Sequence, residues 1–215
     1  MIIAIDGPAA SGKGTVARRL GEHFNLAYLD TGSLYRAVAL SVLRAGADPS
    51  DPEIAAEHAI ALDPALTEDP EIRSATSGAG ASKVGAVPAV RAALLAFQRD
   101  FAARPPSGPE GPVAGAILDG RDIGTVVCPE ADRKIFVTAD VEIRATRRFK
   151  ELLGRGEAAI YARVLADLRE RDERDGSRAD APMRRAEDAM LLDTTHLDPD
   201  QAFESARAFV ETGTI

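Results

Sequence analysis

The sequence predicts an α/β fold in which a parallel sheet of about five strands lies between two layers of helices. Two observations carry this prediction. Short apolar runs alternate along the chain with longer segments whose apolar residues recur at helical spacing. The first run, IIAID at residues 2–6, leads directly into a glycine-rich loop and then into a helical pattern. Such strand–helix alternation is typical of a parallel sheet covered on both faces.

The individual elements follow from composition and periodicity. Strands are predicted at residues 2–6, 27–29, 115–119, 135–138 and 189–193. Helices are predicted at residues 13–24, 34–43, 53–60, 87–103, 141–153, 158–177 and 199–211. The stretch 74–82 is rich in glycine and serine, and it predicts a flexible connection. The proline-rich stretch 104–112 predicts a surface loop.

Length and charge exclude several classes of protein. The 215 residues fit a single domain, and a net charge of -8 argues against a protein that wraps nucleic acid. Cys128 is the one cysteine, so no internal disulfide forms, as expected in a reducing compartment. The chain shows neither a signal-peptide pattern nor the roughly 20 apolar residues of a membrane helix. We expect a cytoplasmic protein, and a monomer, because no apolar interface helix stands out.

The glycine-rich loop matches the phosphate-binding pattern G-x-x-x-x-G-K between a predicted strand and a predicted helix. Its backbone N–H groups and the positive end of the helix dipole attract an anion, and the lysine adds a full charge. The sequence therefore predicts a P-loop NTPase-type three-layer fold. The predicted donor-phosphate residues are Gly7, Pro8, Ala9, Ala10, Ser11, Gly12, Lys13, Gly14 and Thr15.

The magnesium prediction rests on two residues near that loop. Gly14 stands where this pattern most often has a serine or threonine, and the hydroxyl comes one residue later, at Thr15. Asp119 ends a predicted buried strand, and a carboxylate placed opposite a phosphate loop commonly holds Mg²⁺. We expect Thr15 and Asp119 to serve the metal. The alternative for the Asp119 segment, D-G-R-D, is a polar turn with an internal ion pair.

Two arginine-bearing segments suggest an acceptor site. In D-T-G-S-L-Y-R, Thr31 or Ser33 is predicted to cap a helix, and Arg36 follows about one turn later, where it can hold a phosphate. Later in the chain Arg171, Arg174 and Arg178 recur at helical spacing, as do Arg144, Arg147 and Arg148. Arginines on a closing segment can stabilise a migrating phosphoryl group. The alternatives are a capped helix with a surface arginine and a solvated, salt-bridged helix face.

Taken together, four segments resemble the bacterial cytidylate kinases, a branch of the P-loop nucleoside monophosphate kinases. They are G-P-x-x-S-G-K-G-T, D-T-G-x-x-Y-R, D-G-R-D-x-G-T-V-V and R-D-x-R-D-x-x-R, in that order over roughly residues 2–195. The resemblance implies transfer of the γ-phosphoryl group of Mg-ATP to CMP and dCMP. It also implies a core at about 1–30, 113–146 and 178–215, an acceptor-binding region at about 31–103 and a lid at about 147–172.

The resemblance also assigns roles to residues of this sequence. Ser82 and Arg91 resemble the pair that reads cytosine, and Asp122 the carboxylate that accepts from the cytosine amine. The implied substrate-binding set is Thr31, Arg36, Ser82, Arg91, Arg121, Asp122, Arg171, Asp175 and Arg178. The implied catalytic set is Lys13, Arg121, Arg171 and Arg178. Arg147 and Arg148 are expected to bind ATP at the start of the lid.

One region departs from the family pattern, and two rival functions stay open. Residues 47–81 are short and lack the alternating strands of the β-rich insertion found in many members, so a reduced acceptor-binding subdomain is expected. The first rival is a P-loop kinase for UMP, AMP or a non-nucleotide alcohol. The second is a regulatory nucleotide switch with no acceptor. The acceptor-side arginines and the lack of a guanine-reading N-K-x-D segment argue against a switch.

Overall fold

The computed structural model describes residues 1–108 and 111–213, and its centre is a five-stranded parallel sheet. The strands are β1 Ile2–Asp6, β2 Ala27–Asp30, β3 Ala116–Gly120, β4 Arg133–Thr138 and β5 Met190–Asp193. Their order across the sheet is β2-β3-β1-β4-β5. All five predicted strands are confirmed, with ends that differ by at most two residues. This order brings the segments after β1 and β3 side by side at one edge.

Eight α-helices connect and cover the strands in the described residues. They are α1 Lys13–Phe24, α2 Thr31–Arg44, α3 Pro52–Ile60, α4 Ala75–Val84, α5 Pro88–Ala103, α6 Val141–Gly154, α7 Tyr161–Ser177 and α8 Pro199–Thr212. The seven predicted helices are confirmed. Short 3₁₀ turns at Pro64–Glu68 and Pro70–Arg73, and a π-helical turn at Ile123–Val127, were not predicted.

The predicted capping of α2 by Thr31 or Ser33 is wrong. The helix begins three residues earlier than predicted, so Asp30 occupies the N-cap position, without a capping bond from its side chain. The Thr31 hydroxyl instead donates to the Asp119 carbonyl across the sheet at 2.7 Å, and the Ser33 hydroxyl donates to the Asp30 carbonyl at 2.6 Å. The threonine therefore ties the start of α2 to the end of β3.

The predicted flexible connection at 74–82 is also wrong, because these residues form α4. Ser74 caps this helix by accepting a hydrogen bond from the Ser77 amide at 3.1 Å. The glycines permit close packing against α2: a Cβ placed at Gly80 would lie 2.9 Å from that of Ala39. A composition that predicts flexibility in isolation thus serves close helix–helix contact in the folded chain.

Two apolar layers cover the sheet and give the three-layer arrangement. On one face, Ile3 and Ile5 of β1 pack with α1 and α8, and on the other Ala4 packs with Leu118 and the end of α5. The alternation along β1 buries both faces of the strand. Separate apolar clusters hold the α2–α5 region, around Val38, and the α6–α7 pair, around Leu152.

The described part of the 104–112 loop agrees with the surface-loop prediction. It carries one isolated bridge, between Gly108 and Gly111, while Pro109 and Glu110 lie outside the described residues. Within the described chain no single helix is long and apolar enough to cross a membrane. Ala75–Val84 and Pro88–Ala103 reach that length and hydropathy only as a pair bent by 100°.

Candidate active site

The phosphate loop joins β1 to α1 in a backbone conformation that few residues adopt. Gly7 has φ 145°, and a Cβ there would lie 2.0 Å from the Val137 carbonyl oxygen, so only glycine fits. Ala10 and Gly12 also have positive φ, at 59° and 91°. Among the described residues, no acceptor receives the amides of Gly12, Lys13 and Gly14. Free amides at the start of a helix form a site for an anion.

Lys13 is a cation held out of water at this loop. Burial and the nearby Arg121 charge lower the pKa of Lys13 to about 8, and its Nζ lies 3.7 Å from Asp119 Oδ1. Asp119 is buried at the end of β3, and burial raises the pKa of its carboxyl. Tyr28 donates from its hydroxyl to Asp119 Oδ2 at 2.8 Å. In the described chain Asp119 is the carboxylate within ion-pair distance of Lys13, and Asp30 acts on the pKa of the lysine from farther away.

A cavity of about 430 Å³ opens beside Lys13, between α4 and the α6–α7 pair. Five arginines converge on it, from α2, α6, α7 and the turn after β3. Burial and neighbouring cations lower the pKa of Arg36 and bring the pKa of Arg171 to about 9. The cationic side chains lining this cavity include Lys13, Arg36, Arg121, Arg148, Arg171 and Arg174. Glu151, Asp167 and Glu170 line the cavity as well, but the cations outnumber these carboxylates, and a polyanion would neutralise the remaining charge.

A second, smaller cavity of about 50 Å³ adjoins the first, and both share Ser82, Arg121 and Arg171. Eight of the nine substrate-binding residues assigned by the resemblance line it, and Arg36 lines the larger cavity. The eight are Thr31, Ser82, Arg91, Arg121, Asp122, Arg171, Asp175 and Arg178. The fold therefore brings residues up to 147 positions apart in the sequence into one cavity.

Within the smaller cavity, Arg91 and Asp122 form a short, buried ion pair. Burial raises the pKa of Asp122, although the adjacent guanidinium opposes this shift. Tyr35 accepts a long hydrogen bond from Arg91 at 3.5 Å. The pair offers a ligand a cationic donor next to a carboxylate acceptor on one wall of the cavity.

The arginines at the end of α7 keep free hydrogen-bond donors. The helical spacing of Arg171, Arg174 and Arg178 predicted one helix for all three, which is wrong for Arg178, because α7 ends at Ser177 and Arg178 follows in extended backbone. Its Nη1 donates to the Gly85 carbonyl at 3.1 Å, while Nε and Nη2 are buried without a partner in the described chain. Arg171 Nε is also without a hydrogen bond there, 3.7 Å from Asp175 Oδ2. These donors are available to an anionic ligand.

The three arginines of α6 point in different directions. Arg144 donates to the Ala9 carbonyl of the loop at 3.3 Å and pairs with Asp172 at 2.6 Å. Arg147 lies behind the loop and donates to Thr194. Arg148 lines the larger cavity and pairs with Glu151 at 2.9 Å. Arg148 can therefore reach a ligand in that cavity, whereas Arg147 is held by the protein.

The two predicted metal residues differ in their surroundings. Asp119 is buried beside Lys13, and Thr15 is exposed on the first turn of α1. A Cβ at Gly14 would lie 3.1 Å from Asp119 Oδ2 and 3.6 Å from the Tyr28 hydroxyl, so those oxygens occupy the space beside this glycine. In the described chain no group of three or more His, Cys, Asp or Glu side chains is placed to hold a metal ion.

Sequence reasoning missed three residues that shape the site. Asp6 accepts from the amides of Ile123 at 2.7 Å and Gly124 at 2.8 Å, and burial raises its pKa to about 7. It thereby anchors the segment that carries Asp122. Tyr28 holds Asp119, and Thr194 contacts the phosphate loop. Asp6 ends the first predicted strand and Thr194 directly follows the last one. Their polar character at these strand ends is the signal by which the sequence could have identified them.

The protein has a P-loop fold, and the phosphate loop lines the larger of two adjoining cavities. A family profile described as "Cytidylate kinase" matches residues 3–212. The chain belongs to the cytidylate kinase family.

Individual relatives agree along nearly the whole chain. A cytidylate kinase of Rhodospirillum rubrum is 58% identical over 96% of this chain and 95% of its own length. One of Paramagnetospirillum magneticum is 57% identical over 97% of each chain. The crystal structure of an uncharacterized protein from Eubacterium ventriosum covers 99% of both chains with a TM-score of 0.55 and 14% identity. At that identity the likeness shows the fold alone.

Proposed function

We propose that this protein transfers the γ-phosphoryl group of ATP to CMP, and also to dCMP, giving ADP and CDP or dCDP. One observation carries the proposal: the cations at the junction of the two cavities stand between a phosphate loop and a pocket with paired donor and acceptor groups. The buried positive charge matches the phosphates of two nucleotides that meet there. Family membership supports CMP as the acceptor.

The donor half consists of the loop and the residues around it. The amides of residues 9–14 and the Lys13 ammonium bind the ATP phosphates, and Arg148 adds charge from the lid side. Asp119 and Thr15 would hold Mg²⁺, directly or through water, and a buried carboxylate next to the loop suits such an ion. When bound, the metal neutralises charge on the β- and γ-phosphates.

The acceptor half reads the base by its hydrogen-bonding edge. Cytosine presents acceptors at O2 and N3 and a donor at its amine. Arg91 donates to the acceptors, and Asp122 accepts from the amine, so the ion pair opens to receive the base. Uracil would turn a carbonyl oxygen toward Asp122, and two acceptors repel each other. Ser82 and Asp175, both buried in the same cavity, bind the ribose.

The chemical step needs no covalent intermediate and no general base. A phosphate oxygen of CMP, already anionic, forms a bond to the γ-phosphorus as the bond to the β–γ bridging oxygen breaks, and ADP leaves. Arg36, Arg121 and Arg178 position the CMP phosphate. Lys13, Arg121 and Arg171 then neutralise the charge that spreads over the transferred group.

The same chain provides the donor site, the acceptor site and a lid over them. We propose a core at about 1–30, 113–146 and 178–215, an acceptor-binding region at about 31–103 and a lid at about 147–172. One contact supports closure of the lid onto the acceptor region: Arg155 donates to the Arg73 carbonyl at 2.8 Å. Just beyond the lid, Arg174 donates to the Ser82 hydroxyl of the acceptor region at 2.6 Å. One chain provides every residue of the proposed site, so the proposed function needs no second subunit. The proposed location is the cytoplasm, as expected from the sequence.

Asp122→Asn tests the acceptor assignment. The amide keeps the shape of the carboxylate but can donate to the uracil carbonyl, so the kcat/KM ratio for CMP over UMP should fall at least about tenfold. KM for ATP should stay within about twofold. Asp180→Asn is the matched control, because Asp180 lies 3.6 Å from Arg91 Nε but is exposed. An unchanged CMP-to-UMP ratio in folded Asp122→Asn would contradict the role of Asp122.

A further inference from the structure

A buried threonine behind the phosphate loop joins three elements that the sequence keeps far apart. Thr194 follows β5 and is 2% exposed. Its Oγ1 lies 2.8 Å from the carbonyl oxygen of Ser11 in the loop and 3.1 Å from that of Thr138 at the end of β4. Arg147 of α6 donates from Nη1 to Oγ1 at 3.0 Å and from Nη2 to the Thr194 carbonyl at 2.6 Å.

The single hydroxyl proton of Thr194 serves the phosphate loop. The Thr138 carbonyl already accepts a hydrogen bond from the Thr194 amide at 2.9 Å. The Ser11 carbonyl, in contrast, has no donor among the described residues other than the Thr194 hydroxyl. The shorter distance also favours Ser11 as the acceptor of the hydroxyl proton. The lone pairs of Oγ1 then receive the Arg147 N–H group. Donor and acceptor capacities of the hydroxyl are thus both used.

This bond fixes the direction of one loop amide. In a trans peptide the carbonyl of Ser11 and the N–H of Gly12 point in opposite directions. Because the carbonyl points back to Thr194, the Gly12 N–H points away from it, and in the described chain this amide has no acceptor of its own. The Arg147 guanidinium backs the same peptide: a Cβ at Gly12 would lie 4.0 Å from Arg147 Nη1 and from Thr194 Oγ1.

We propose that Thr194 is a positioning residue of the donor site, which holds the Ser11–Gly12 peptide so that its N–H faces a phosphate of ATP. Arg147 acts with it: rather than contacting the phosphates, this arginine clamps Thr194 against the loop. The proposal rests on the proposed function only in taking the loop as the ATP-binding element. It concerns ATP affinity and not the choice of acceptor.

Thr194→Val tests the proposal, since valine keeps the shape of the side chain and removes the hydroxyl. Calorimetric titration with ATP should give a Kd about five- to tenfold higher than in the wild-type protein, the loss expected for one hydrogen bond. KM for ATP should rise in parallel, while KM for CMP stays within about twofold. Thr194→Ser restores the hydroxyl and should return the Kd to within about twofold of wild type.

Thr195→Val is the matched control. The neighbouring hydroxyl donates to Asp193 Oδ1 at 2.6 Å and accepts from the Asp140 amide at 3.0 Å, so it has no bond to the loop. ATP affinity in this variant should match wild type. If Thr194→Val does not fold, Thr194→Ala against Thr194→Ser makes the same comparison. Wild-type ATP affinity in a folded variant without the hydroxyl would overturn the proposal.

A purely structural role would give a different pattern. In that case the affinities for ATP and CMP would fall together, Thr195→Val would share the loss, and the proposal would be overturned. Because the titration reads ATP binding without turnover, it also separates this proposal from the proposed function. A wild-type protein that binds ATP but phosphorylates no nucleoside monophosphate would contradict the function and leave the Thr194 comparison intact.

Discussion

Arg178 should contribute to acceptor binding while adding little to the stability of the free protein. In Arg178→Met the apolar stem is kept and the guanidinium is removed. The wild-type guanidinium donates one hydrogen bond, to the Gly85 carbonyl at 3.1 Å, and its two other nitrogens are buried without a partner in the described chain. The lost bond costs about 1 kcal/mol, and removal of the unpaired groups offsets about as much. We expect the free energy of unfolding to change by less than about 1 kcal/mol.

The effect of Arg178→Met on activity should be much larger. A hydrogen bond to a charged group contributes about 1.5–3 kcal/mol, so loss of the contact with the CMP phosphate should lower kcat/KM for CMP about 10- to 150-fold. KM for ATP should change little, because Arg178 lines only the smaller cavity of the two. Urea unfolding and steady-state kinetics on the same preparation measure both quantities.

Variants of two other arginines are the controls for this experiment. Arg169 on α7 is exposed and pairs with Glu142, so Arg169→Met should leave both stability and kinetics near wild type. Arg144 is buried and fully paired, and Arg144→Met should cost about 3 kcal/mol of stability. A large loss of stability in Arg178→Met with normal kcat/KM for CMP would refute the reasoning, because Arg178 would then be a structural residue like Arg144.

Two further predictions concern the donor site. Burial lowers the pKa of Lys13 from 10.5 to about 8, so the folded state holds this proton less tightly than the unfolded state. The resulting loss of folding stability is present in full below pH 8 and is relieved as pH rises toward 10.5. ATP affinity needs the charge on Lys13, so it should fall over the same pH range by up to about tenfold per pH unit. Urea unfolding and calorimetry at pH 7 to 10 measure both trends, and neither should occur in Lys13→Met. In Gly7→Ala, a Cβ placed 2.0 Å from the Val137 carbonyl forces the loop to move, so thermal unfolding should show a loss of about 2 kcal/mol or more and ATP binding should weaken at least about tenfold. An ordinary melting temperature with normal ATP affinity would contradict the reading of Gly7.

Local patterns explain why so much of the fold could be predicted. Helix α1 was predicted to the residue, because a glycine-rich loop precedes it and Val16, Leu20 and Phe24 repeat at helical spacing. The sheet strands were found because each is a short apolar run. Helix α4 was missed because its glycines read as flexible, and their packing against Ala39 depends on a partner helix that the local sequence does not reveal.

The candidate site was predictable only in part, because many of its supporting contacts join residues that are far apart in the sequence. Motifs and resemblance identified eight of the residues that line the smaller cavity. The supporting contacts join residues that no local pattern connects: Thr194 and Ser11 are 183 positions apart, and Asp6 and Ile123 are 117 apart. Such contacts follow from the strand order, which places β3 and β4 on either side of β1.

The most direct test of the proposed function is to follow ADP release from Mg-ATP with CMP, dCMP, UMP, AMP, GMP or no acceptor, side by side. CMP and dCMP should stimulate release strongly and the purine nucleotides little, because the Arg91–Asp122 pair matches the cytosine edge. Stimulation by another nucleotide in preference to CMP would contradict the acceptor assignment. Release that no acceptor stimulates would contradict the kinase function itself.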